Sequence, residues 1–62
     1  SDFDVTKGEL LLAALIKLGF STKQLVVVFD CEVKSIYKNK QRLKSHLGLD
    51  KDDSLEQMIA FY

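Results

Sequence analysis

Thr6 is followed three residues later by Glu9, and Ser21 three residues later by Gln24. In such a pair the hydroxyl accepts the backbone N–H of the later residue, and the later side chain reaches back to the backbone N–H of the first. Each pair therefore marks a helix start, and two starts so close together force short helices. "GELLLAALIKL" follows the first. It is rich in Leu and Ala, both strong helix formers. Its apolar residues lie almost all round the helix, which predicts a largely buried element. Gly19 then offers the left-handed residue that ends a helix, and Phe20 can fold back as the apolar contact after it.

After Ser21, the run Leu25 to Phe29 is short enough to be read two ways. Three valines and a phenylalanine favour a strand by propensity. The capping pair and the helical neighbours favour a helix, and a helix is the reading adopted. Asp30-Cys31-Glu32 reads as a turn in which Asp30 or Glu32 can cap the next helix. That third helix is expected over 33–47, closed by Gly48 with Leu49 behind it. A fourth runs over 53–62, capped by Ser54 with Gln57 or by Asp53 with Glu56. Leu55, Met58, Ile59 and Tyr62 fall on one of its faces. The expectation is an all-α, compact four-helix domain over residues 6–62, preceded by a flexible arm at residues 1–5.

Sixty-two residues make one domain at most, and one this small buries only about 60% of the surface its unfolded chain exposes. A hydrophobic fraction of 47% argues against disorder. There is no proline, and the single cysteine excludes an internal disulfide, so a reducing, cytoplasmic setting is expected. No apolar run approaches the roughly 18 residues of a membrane span, and no signal-peptide pattern is present. A first residue that is serine rather than methionine suggests a piece of a longer parent chain, whose other domains are expected partners.

The charges are unevenly placed. Nine Lys and Arg balance nine Asp and Glu. Five of the nine cations, Lys34, Lys38, Lys40, Arg42 and Lys44, occupy the third helix, and no acid lies between Val33 and Leu49. Stepping 100° per residue puts Ile36, Leu43 and Leu47 on one stripe, with Val33 at its edge. Lys34, Lys38, Gln41, Arg42 and Ser45 fall opposite. Lys40 lies near the apolar edge, where its stem can pack while its ammonium reaches water. Tyr37 and Lys44 flank the polar face. A cationic, hydrogen-bonding helix surface suits a polyanion: Lys and Arg displace counterions from phosphates, and Gln and Tyr can bond to base edges.

Residues 19–49, "GFSTKQLVVVFDCEVKSIYKNKQRLKSHLGL", resemble the helix-turn-helix of the LuxR/GerE family, without a gap. Gly19, Ser21 and Lys23-Gln24 take that family's leading glycine, cap and Lys-Glu. Leu25 and Phe29 take the apolar positions of its first motif helix, and Cys31 its turn isoleucine. Ser35-Ile36, Leu43 and Leu47-Gly48 take its Thr-Val, Ile and closing Leu-Gly. The flanking helices fit its four-helix plan, and "SIYKNKQRLKSHLGL" is similar to versions at the C-terminal, cytoplasmic end of bacterial sensor-regulators. The resemblance implies a winged-helix-like DNA-binding domain of a transcription regulator, with helix 33–47 in the major groove of double-stranded DNA. Tyr37, Lys38 and Gln41 would meet bases, and Lys34, Lys38, Lys40, Arg42 and Lys44 phosphates. It also implies a homodimer through the last helix, for which Met58, Phe61 and Tyr62 are the candidate contacts. Several residues depart from the pattern. Val26 replaces a small alanine, Glu32 a serine cap, Asn39 a histidine and Ser45 a basic residue, while Asp30 adds an acid at the mouth of the reading helix. The alternative is a protein-interaction module of the same shape that holds an acidic or apolar partner.

Enzymatic chemistry is not expected. Cys31 and His46 are the only residues of their kinds, and no third group or oxyanion device accompanies them. Cys31 reads as a small buried hydrophobe and His46 as a favourable group in a last helical turn. One Cys and one His do not make a metal site. "DKDD" lacks the glycine and the distant Glu of a calcium loop, and Gly8 lies in no phosphate-cradling loop. No cofactor, metal or membrane contact is expected.

Overall fold

The computed structural model describes residues 4–62 and is all-α: α1 Lys7–Lys17, α2 Thr22–Phe29, α3 Val33–His46 and α4 Leu55–Ala60. Of the arm expected over residues 1–5, the first three lie outside the described residues. Asp4 is exposed, and Val5 packs against the core.

Both capping pairs form in full. Glu9 N donates to Thr6 Oγ1 at 3.1 Å and Thr6 N to Glu9 Oε1 at 2.9 Å. Gln24 N donates to Ser21 Oγ at 3.2 Å and Ser21 N to Gln24 Oε1 at 2.8 Å. The Leu25–Phe29 run is helical. α1 and α3 close alike. Gly19 and Gly48 take φ of 88° and 75°. Gly19 N reaches Ile16 O and Phe20 N reaches Leu15 O; Gly48 N reaches Ser45 O and Leu49 N reaches Lys44 O. This is the paired-bond ending that a left-handed residue allows.

The turn at 30–32 differs from expectation. Asp30 does not cap α3. It takes the left-handed conformation, φ 50° and ψ 56°, at the end of α2. Asp30 N bonds Val27 O and Cys31 N bonds Val26 O, the same pair of bonds that the glycines make elsewhere. Asp, with Asn, is one of the few L-residues that adopts this region occasionally, as single residues. Glu32 stands at the N-cap of α3 but makes no side-chain cap bond. At α4 the cap is Ser54, which accepts Gln57 N at 3.1 Å, while Asp53 Oδ2 accepts Asp50 N at 2.8 Å and stiffens the loop before it. α4 ends at Ala60 rather than at residue 62, and its last turn is held from outside: Lys17 Nζ donates to Ala60 O at 3.0 Å.

The core is Leu12 of α1, Leu25 of α2, Ile36 and Leu43 of α3, and Leu55 and Ile59 of α4. α3 packs on both α1 and α2, and α1 also packs on α4. The expectation that α1 is largely buried is corrected. Only Glu9 and Leu12 of α1 are buried, while Leu10 and Leu11, with Leu18 just beyond the helix, are exposed. α3 and α4 cover one side of α1, and no helix among the described residues is left to cover the other.

Candidate nucleic-acid interface

The inner face of α3 is anchored by Ile36 and Leu43, at 0% and 1% exposure. With that face fixed, helical geometry turns positions 34, 37, 38, 41 and 42 outward. Lys34, Tyr37, Lys38, Gln41 and Arg42 are all exposed. They form one continuous surface with three cations and two hydrogen-bonding side chains. At its N-terminal mouth lie the exposed acids Asp30 and Glu32.

The other two expected members lie elsewhere. Lys44 is not on the flank of the polar face; it is 7% exposed, and its ammonium donates to Lys51 O at 2.6 Å. Its position, one turn beyond Lys40, faces the loop between α3 and α4, and the loop carbonyl replaces water for the buried charge. Lys40 is half-buried. Its stem packs at the apolar edge as the wheel suggests, but its ammonium meets Glu56 Oε2 at 3.0 Å. Burial, the largest single influence, pushes the Glu56 carboxyl up, but the Lys40 hydrogen bond, the Glu56 backbone N–H and the charges of Lys40 and Lys44 together leave it below the usual glutamate value. Helix geometry within α3 signals neither arrangement, because both partners lie past residue 48.

Behind α3, His46 Nδ1 lies 2.9 Å from Glu9 Oε1. The same oxygen accepts Thr6 N, and Glu9 Oε2 is buried without a hydrogen-bond partner among the described residues. The Thr6 backbone bond holds the Glu9 carboxyl below its ordinary value, burial opposes this, and the His46 bond and charge add to the lowering. His46 thus ties the end of α3 to the start of α1, a role that a reading of the last helical turn alone could not supply.

The candidate dimer contacts divide. Met58 is half-buried, whereas Phe61 and Tyr62 lie beyond α4 and are exposed. Tyr62 does not join Leu55 and Ile59 in the interior; it is exposed, and with Met58, Ile59, Ala13, Ala14 and Leu47 it borders an open apolar groove between α1 and α4. Cys31 is half-buried against the core. No cluster of metal-ligating side chains occurs among the described residues, and none of the described helices is long and apolar enough to cross a membrane. Comparison with protein-family models, curated proteins and solved structures finds no match to this chain.

Proposed function

We propose that the chain is a DNA-binding module that lays α3 in the major groove, as the output domain of a cytoplasmic transcription regulator. The observation that carries this reading is the outward face of α3. Lys34, Lys38 and Arg42 stand exposed with Tyr37 and Gln41, on a helix whose opposite face is buried and which has no acid between residues 33 and 49. An α-helix fits the major groove, cations supply the salt-dependent affinity, and Gln and Tyr supply base contacts. The three-residue connection between α2 and α3 is of the length that helix-turn-helix motifs use, and the LuxR/GerE resemblance points the same way. Asp30 and Glu32 repel phosphate at the mouth of α3, beside Lys34, so the contacts rest chiefly on Tyr37, Lys38, Gln41 and Arg42 farther along the helix.

The double variant Lys38→Ala, Arg42→Ala is expected to bind duplex DNA more weakly. The slope of log affinity against log salt should become shallower by about 0.9 for each phosphate that is no longer neutralised. Parent-like affinity and slope in that variant would show that α3 is not the reading helix. A second reading, an interaction module without DNA binding, draws on the apolar groove between α1 and α4 and on the exposed Leu10, Leu11 and Phe61. Amide shifts on titration with random duplex at low salt separate the two. Shifts confined to α3 belong to the first reading, and their absence to the second.

A further inference from the structure

We infer that Glu56 is an internal competitor for DNA phosphate: it occupies the Lys40 ammonium and withholds that cation from the reading face of α3. The inference rests on α3 being the DNA-contacting helix, and it names a residue outside α3 that limits the affinity of that helix.

Lys40 is one turn from both Tyr37 and Lys44, on the side of α3 that faces the start of α4. Tyr37, Lys40 and Gln41 share a small cleft with Ser54 and Glu56, so the Glu56 carboxylate stands beside positions assigned to base contact. Within the pair, the lysine is the inner partner, with its side chain 18% exposed against 54% for Glu56. A carboxylate oxygen and a phosphate oxygen make the same demand on an ammonium, one short charge-assisted N–H···O bond. While Glu56 makes it, an approaching phosphate meets a neutral pair with an anion on its outer side. Lys40 then releases no counterion, and Glu56 repels the strand. Lys44 cannot substitute, since its ammonium is buried on Lys51 O.

Glu56 is not needed to hold α4 in place. Leu55 and Ile59 anchor that helix in the core, Ser54 caps its start, and Lys17 binds the Ala60 carbonyl at its end. The carboxylate of this pair is more than half exposed, and ion pairs open to solvent on one side contribute little to stability. The pair therefore matters more to what Lys40 can touch than to the fold.

The test compares the full chain with Glu56→Gln and with Asp52→Asn. The second variant changes the net charge equally, at an exposed loop position that does not line the cleft shared by Lys40 and Glu56. Binding to a short duplex of random sequence is measured across a salt series. Glu56→Gln is expected to bind more tightly, with a slope steeper by about 0.9, one additional phosphate contact. Asp52→Asn is expected to keep the parent slope. Lys40→Gln in the parent background reports without relying on the Glu56 variant, and its slope should equal the parent's because Lys40 touches no phosphate there. Equal slopes for Glu56→Gln and Asp52→Asn, or a Lys40→Gln slope shallower by about 0.9, overturn this inference and leave the DNA reading standing. Absence of binding by the parent and by every variant removes the DNA reading and this inference with it. Binding that emerges only in Glu56→Gln upholds both.

Discussion

Glu9 is the residue on which most local order converges. One carboxylate oxygen completes the cap of α1 and receives His46 from the end of α3, so a single charge serves two elements. Its carboxyl is lowered from 4.5 by the Thr6 backbone bond first and by His46 after it, against the opposing effect of burial. Because the folded value lies below the unfolded one, the stabilisation is fully present above the unfolded value and is lost as pH falls through the folded value. Glu9→Gln is therefore expected to flatten the acid limb of the stability profile below about pH 4.5, while the parent continues to lose stability there. Denaturant midpoints measured near neutral pH and in that acid range check this. Parallel profiles for parent and variant would show that the bonds to Glu9 carry no net preference for its ionised form. The two halves of this arrangement differ in legibility. Thr6-x-x-Glu9 is a local pattern, readable because both partners lie within one turn. The His46 contact joins residues 37 apart in sequence and becomes visible only when α1 and α3 are packed together.

At the scale of elements, the helix starts are not equivalent. Ser21 makes both bonds of its capping pair, whereas Glu32 occupies the corresponding position of α3 and caps with no side-chain atom. Ser21→Ala should cost about 1 kcal/mol, and Glu32→Ala should stay within about 0.5 kcal/mol of the parent. Thermal unfolding of the two variants distinguishes them; equal losses would mean that the cap bonds at Ser21 have little net value. The helix ends show why sequence patterns reach only so far. Gly19 and Gly48 identify themselves, since glycine alone adopts positive φ without steric cost. Asp30 performs the same backbone function with a side chain that usually marks a helix start. A pattern rule therefore assigns it to the wrong helix. α4 is overextended in the sequence reading for a related reason: the apolar spacing of Leu55, Met58, Ile59 and Tyr62 continues past Ala60, but the helical backbone does not.

For the whole molecule the margin is narrow. A chain of this size has about 3–9 kcal/mol of stability at ~0.05–0.15 kcal/mol per residue, and its core is six aliphatic side chains. Ile36→Ala removes a fully buried branched side chain from the helix that touches both α1 and α2, a change of about 2–5 kcal/mol. It is expected to lower the thermal midpoint followed by circular dichroism by at least about 8 °C; a cooperative transition near the parent's would show that α3 is not the organising element. The thin core also explains α1. Its Leu and Ala run resembles an interior helix by composition, but four short helices cannot enclose it, and Leu10, Leu11 and Leu18 stay at the surface.

Local chemistry determined the helix starts at Thr6 and Ser21, the glycine stops, the apolar stripe of α3 and the outward set Lys34, Lys38, Gln41 and Arg42. These arise from bonds within one turn and from a fixed rotation per residue, quantities that a linear sequence contains. Tertiary structure decided which cations remain available and how much of α1 is covered. Lys40 and Lys44 are engaged by Glu56 and by the Lys51 carbonyl, and Glu9 by His46, through contacts made across elements. Such contacts depend on where separate helices come to lie in space, and helical periodicity carries no information about that.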